Sequence, residues 1–172
     1  MSHTNFLGIP IDGKIQRSEG RAAQRPRSEL EPLIRALVED DTIVEFGWQQ
    51  FTPYFNDGEP CVFNAYGLWV RTISDSKNED EDEDEDEDLS VEFAHHPSLG
   101  RIEWEYIGQW PDRERRIKTY EGPDLHRLER CIALDDAIQS GAFDDVLLDA
   151  FGDHADITIR RDGITIDFYS HD

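Results

Sequence analysis

Ala155-Asp-Ile-Thr-Ile-Arg-Arg-Asp-Gly-Ile-Thr-Ile-Asp-Phe-Tyr-Ser170 decides the fold class. Two alternating runs flank Asp162-Gly163, the kind of dipeptide that a two-residue type I′ hairpin turn favours because its central residues need positive φ. In that hairpin Ile157, Ile159, Ile164, Ile166 and Phe168 share one face, and Thr158, Arg160, Thr165, Asp167 and Tyr169 share the other. One face is expected to be buried and the other wet, the habit of an antiparallel sheet.

Upstream of the hairpin the apolar period lengthens to that of helices. Phe143 to Phe151 places Val146, Leu147, Ala150 and Phe151 inward and stops at Gly152. Asp124 is the expected cap of a helix that carries Leu125, Leu128, Cys131, Ile132, Leu134 and Ile138 inward and ends at Ser140-Gly141. Leu30, Leu33, Ile34, Leu37 and Val38 mark a third helix. Its start is ambiguous, because Ser28 with Glu31 resembles a capping box while Pro32 prefers the first helical position.

Between these helices the period is two. Val44, Phe46 and Trp48 alternate with Glu45 and Gln49, and an Asn-Asp-Gly turn at positions 56–58 predicts a hairpin whose return strand opens at Pro60. Cys61, Phe63, Ala65 and Trp69 fall on one side of that return strand and Val62, Tyr66, Leu68 and Val70 on the other. Apolar residues on both sides predict a central strand. Alternation resumes at Leu89, Val91 and Phe93 and again at Ile102, Trp104 and Tyr106, which predicts a meander. The expected class is α+β: an antiparallel sheet, meander plus C-terminal hairpin, with two to three helices mainly on one face.

A chain of 172 residues, 37% hydrophobic, has room for one core. The expected organisation is a flexible basic arm at 1–27, with net charge +3 from Lys14, Arg17, Arg21, Arg25 and Arg27 against Asp12 and Glu19, followed by a single domain at 28–172. A disordered acidic loop at 74–88 interrupts that domain, and its core is the unbroken run Glu79, Asp80, Glu81, Asp82, Glu83, Asp84, Glu85, Asp86, Glu87, Asp88. The net charge is −22, and the run supplies ten of those charges, so the rest of the chain still carries −12. Such a field repels nucleic acid and anionic membrane and favours basic proteins or cations.

Cys61 and Cys131 sit in apolar patterns and read as buried free thiols. No apolar stretch reaches the roughly 18 residues of a membrane span, and Met1 to Leu7 lacks the regions of a signal peptide. A cytoplasmic protein is expected, with no direct nucleic-acid or membrane partner.

Two segments carry a resemblance. Phe46-Gly-Trp-Gln-Gln-Phe-Thr-Pro-Tyr-Phe-Asn-Asp-Gly-Glu-Pro-Cys-Val-Phe63 and Phe151-Gly-Asp-His-Ala-Asp-Ile-Thr-Ile-Arg-Arg-Asp-Gly-Ile-Thr-Ile-Asp-Phe-Tyr-Ser-His-Asp172 resemble the corresponding segments of a family of uncharacterised phage and prophage proteins. The resemblance covers about a quarter of the chain and implies a phage-related origin and a shared scaffold. It carries over no catalytic residue. The acidic run and the Arg-containing arm depart from the family pattern.

Several constellations bear on function. Extended at about 3.3 Å per residue, the acidic run spaces its charges much as one DNA strand does, at about 3.4 Å. It admits three readings: a solvated spacer, a ligand for a basic protein surface, or a weak divalent-cation site. Asn56 to Glu59, flanked by Trp48, Tyr54 and Phe55, reads first as a tight turn and second as the rim of a binding groove. His95-His96 precede a proline, and His154 and His171 lie at the two ends of the terminal hairpin near Asp153 and Asp172, so neither pair makes a recognisable metal site. Arg113, Arg115, Arg116 and Lys118 form a basic cluster interleaved with Asp112 and Glu114, which reads as self-neutralised or as an anchor for the acidic loop. No cofactor motif is present.

The expectation is a non-enzymatic, phage-related acidic protein that binds a basic protein surface, including as a DNA mimic that inhibits a host DNA-binding or defence factor. Its binding residues would be the acidic run with Trp48, Tyr54 and Phe55. The alternatives are a small-molecule or metal-binding protein, conceivably an enzyme, with its site at Asn56 to Glu59, and a self-associating phage structural or assembly protein.

Overall fold

The three apolar stripes fold as helices α1 (Arg27–Val38), α2 (Leu125–Gln139) and α3 (Asp144–Phe151). The computed structural model describes residues 5–10, 12–13, 22–55, 57–75, 89–92 and 95–170. Asp124 caps α2 by accepting the Arg127 amide at 3.3 Å, as its position before Leu125 predicts. α1 starts one residue before Ser28, on Pro26, with no side-chain cap and with Pro32 inside it, so neither expected start is realised.

Contacts upstream of α1 explain that start. Arg25 donates its amide to Ala142 O at 2.8 Å, and its guanidinium lies over Phe143. The Gln24 side chain donates to Gly141 O at 2.8 Å and accepts the Asp145 amide at 2.9 Å. Residues 22–27 are therefore docked on the loop between α2 and α3, whereas the sequence predicts a flexible arm through 27. The two-residue strands β1 (Asn5–Phe6) and β2 (Ile9–Pro10) pair antiparallel, and residues 1–4, 11 and 14–21 of the predicted arm lie outside the described residues.

The remaining strands are β3 (Ile43–Phe51), β4 (Asn64–Thr72), β5 (His95–His96), β6 (Gly100–Ile107), β7 (Glu114–Glu121), β8 (Ala155–Arg160) and β9 (Gly163–Phe168). They form a four-stranded antiparallel sheet in the order β4-β3-β8-β9 and a three-stranded one in the order β5-β6-β7. The protein is α+β, as the periodicities predict, but the strands do not form one meander. The C-terminal hairpin inserts beside β3, so β3 becomes central and β4, predicted to be central, lies at the border of its sheet. Leu89 to Glu92 forms no strand; it runs along the outer side of β4 through a bridge from Ser90 to Trp69 and an amide bond from Val91 to Leu68 O at 3.1 Å.

A bulge reassigns the faces of β4. Gly67 has φ +73°, and the pairing with β3 shifts between Gly47/Trp69 and Gln49/Tyr66. The extra residue turns Ala65, Leu68, Val70 and Thr72 into the core and sends Tyr66, Trp69 and Arg71 to the other side. Cys61 and Val62 precede the strand and are exposed, contrary to the buried positions predicted for them, while Cys131 is buried and its thiol is pushed up to about 12 by burial. The predicted acidic loop at 74–88 is described only at Ser74 and Asp75; residues 76–88 lie outside the described residues.

β3 is packed on both faces. On one, Phe46, Trp48 and Gln50 join Ala155, Ile157 and Ile159 beneath the helices. On the other, the buried Glu45 carboxylate accepts Arg71 Nε at 3.1 Å and Arg160 Nε at 2.8 Å. Gly47 lies between these faces, where a Cβ would overlap the Ile157 carbonyl and press on the Trp69 ring. Gly47→Ala is expected to lower stability by about 3 kcal/mol in urea denaturation, because the sheet must separate locally to admit the methyl group.

Candidate interaction surface

The aromatic residues proposed for binding separate in the fold. Trp48 is 0% exposed and donates its indole N–H to Gln50 Oε1 at 3.0 Å, so no partner reaches it. Its outward reading fails because Phe46 and Trp48 point to the helical side of the sheet, where Phe151 packs edge-on at 5.5 Å. Tyr54 and Phe55 are exposed. Tyr54 stacks on His154 with ring centroids 4.9 Å apart, and His154 in turn lies 6.1 Å from Phe168. This row is held by Asp153, whose Oδ1 accepts the Thr52 amide at 2.7 Å and the His154 amide at 2.8 Å. Burial alone would raise the Asp153 pKa, but those bonds hold it below the usual carboxylate value.

The same row ends on an apolar edge. Ile164, Ile166 and Phe168 are 55%, 49% and 73% exposed, although Ile157 and Ile159, which share their face, are buried. The hairpin faces agree with the alternation, but the turn does not: Arg160 pairs with Gly163 across Arg161-Asp162, which shifts the register by two residues from the one predicted around Asp162-Gly163. Neither Arg161 nor Asp162 has positive φ, so the turn is not type I′.

Arg115, Arg116 and Lys118 of the basic cluster lie on β7. On β7, Arg115 lies 4.1 Å over the Trp104 ring of β6, and Arg113, just before the strand, lies 4.2 Å over Tyr106. Arg115 also reaches Asp136 at 3.5 Å, Lys118 reaches Glu103 at 3.5 Å, and Arg116 reaches Glu114 at 3.6 Å. The tip of this hairpin exposes Trp110.

The turn after Phe55 is exposed on the surface, with Asp57 and Gly58 both at positive φ, as a tight turn requires. Asn56, His171, Asp172 and the whole run from Glu79 to Asp88 lie outside the described residues. Among the described residues no three His, Cys, Asp or Glu side chains converge to hold a metal ion. Among the described residues, depressions of about 140 and 180 Å³ open on the surface, one beside Arg101 and Glu121 and the other beside Ala22 and Phe63. Both are smaller than the roughly 300–1,000 Å³ of a small-molecule site.

One titratable set was missed by the sequence reading. Buried His96 places Nε2 2.6 Å from Val70 O, and its Nδ1 lies 3.1 Å from the amides of both Ser98 and Leu99. A carbonyl only accepts, so Nε2 carries the proton and Nδ1 is the acceptor. Ser98 Oγ donates to Asp75 at 2.7 Å and accepts from Thr72 Oγ1 at 2.8 Å. Serine, histidine and aspartate thus meet without an activated nucleophile, because the hydroxyl proton goes to Asp75 and the imidazole lone pair is occupied by amides. The set is a clip that fastens β5 against β4. The sequence around His95-His96-Pro97 gave no sign of it, since Val70 and Asp75 are brought in from 26 residues before His96 and 23 residues before Ser98.

Burial depresses the His96 pKa below 6.5. The unfolded chain therefore binds the proton first, and the stability present above pH 6.5 is lost as pH falls toward and through the folded-state value. Asp135 acts oppositely, since burial raises it to about 6 and its contribution is lost as pH rises through that value. A thermal melting series from pH 8 to pH 5 on wild type and His96→Gln isolates the histidine. The gap between the two melting temperatures is expected to narrow as the pH falls below 6.5. No helix among the described residues is long and apolar enough to cross a membrane. No family model, curated protein or solved structure matches the chain.

Proposed function

We propose that this chain is a non-enzymatic binding protein that engages a basic protein surface by presenting carboxylates where nucleic acid would present phosphates. The observation that carries the reading is how the cations are used. Arg27 pairs with Asp149, Arg71 and Arg160 with Glu45, Arg130 with Asp40, and Arg161 with Asp41, besides the pairs on β7. With 39 acidic residues against 17 basic ones, this internal pairing leaves the excess carboxylates to the solvent and few cations to offset them. A field of one sign steers a basic partner and repels nucleic acid.

The resemblance of two segments to phage and prophage proteins supports a host DNA-binding or defence factor as that partner, and inhibition by DNA mimicry as the outcome. The exposed Tyr54, Phe55 and Phe168 supply apolar contact area beside the carboxylates. The acidic run strengthens the attraction without being its sole source, because −12 remains without it.

Binding to a basic DNA-binding protein, measured by calorimetry across a salt series, tests this reading. Affinity is expected to fall at least about tenfold between low and physiological salt. Deleting Glu79 to Asp88 is expected to weaken binding and flatten that dependence without abolishing it. Affinity indifferent to salt would sink the electrostatic reading.

A further inference from the structure

β9 is an open strand edge of unusual composition. Tyr169 donates its amide to His154 O at 2.7 Å, so Asp167, Thr165 and Gly163, in step with Tyr169, spend their backbone groups on β8. Ile164, Ile166 and Phe168 consequently direct their N–H and C=O groups away from the sheet. No other strand among the described residues pairs with that side.

The outer sides of β4 and β7 are protected. Ser90 and Val91 lie along β4, and His96 takes its Val70 carbonyl. β7 carries Glu114, Arg115, Arg116, Lys118 and Glu121. Among the described residues β9 has no cover, and it carries no lysine, the usual defences of an edge. Unsatisfied backbone groups and half-exposed isoleucines together make a template for an added strand.

Charge selects the occupant. A second copy would bring another −22 to the same edge. Asp167 adds an exposed carboxylate to the strand itself. We infer that the β9 edge docks an extended basic segment of the partner protein. That segment adds to the sheet as a fifth strand, with apolar residues beside Ile164, Ile166 and Phe168 and lysine or arginine beside Asp167. The inference rests on the reading of a basic protein partner and names its mode of recognition.

The Ile166 N–H faces outward, so Ile166→Pro removes a docking donor and leaves the β8–β9 ladder intact. Ile166→Lys keeps every backbone group and adds a repelling cation. The probe is a fluorescein-labelled peptide alternating valine and lysine, compared by anisotropy with a peptide of the same composition in block order. Wild type is expected to prefer the alternating peptide, and both variants to bind it about tenfold more weakly or worse, with melting temperature and far-ultraviolet dichroism unchanged.

Equal, salt-sensitive binding of both peptides by wild type and variants would overturn the docking strand and leave the basic-surface reading standing. No binding of either peptide would also overturn it, while the salt series on the DNA-binding protein decides the broader reading separately. Concentration-dependent dimerisation abolished by Ile166→Pro, without peptide binding, would assign the edge to a second copy instead.

Discussion

β3 must satisfy a strand on each edge and a packed layer on each face, and most of the molecule is arranged around that double demand. Its edges are taken by β4 and β8. Gln50 turns to the helices, accepts from Trp48 and donates to Leu147 O and Gly152 O at 3.0 and 2.6 Å, tying the end of α3 to the sheet. Glu45 turns the other way into two arginines. A buried carboxylate with both oxygens engaged is tolerated where an unpaired one would be strongly destabilising. Gly47 permits the close approach that both arrangements need.

The helical layer is narrower than the sheet. Its cover reaches β4, β3 and β8, where the inward residues are buried, and ends before β9, where all six residues are exposed. The apolar side chains of β9 therefore continue the core pattern past the edge of the core. Phe168, His154 and Tyr54 carry that apolar band toward the turn after β3. A row of exposed apolar side chains thus lies along a border of the sheet, in a molecule of net charge −22.

Charged and titratable groups in the interior are tied into the fold by hydrogen bonds. Asp40 shows the pattern at the end of α1: burial would raise its pKa, but Thr42 and Arg130 bind the charged form and hold it low. The His96 clip likewise uses a titratable group as a hydrogen-bonding joint. Arg127 reinforces it, donating to Thr42 Oγ1 at 2.7 Å and to Ser98 O at 3.3 Å. The cations consumed in such joints are unavailable to balance the exposed carboxylates.

Local patterns determined the α+β class, the existence of all three helices, the Asp124 cap, the Gly152 stop and the faces of the terminal hairpin, because each depends on neighbours within a few residues. Overall acidity is likewise a property of composition. Strand order, the bulge at Gly67, the burial of Trp48 and the exposure of Ile164, Ile166 and Phe168 were decided only in the tertiary structure. Alternation states that two residues share a face; it does not state whether another layer reaches that face. The extent of the helical cover depends on contacts between segments a hundred residues apart, and it turned a pattern that reads as core into an open edge.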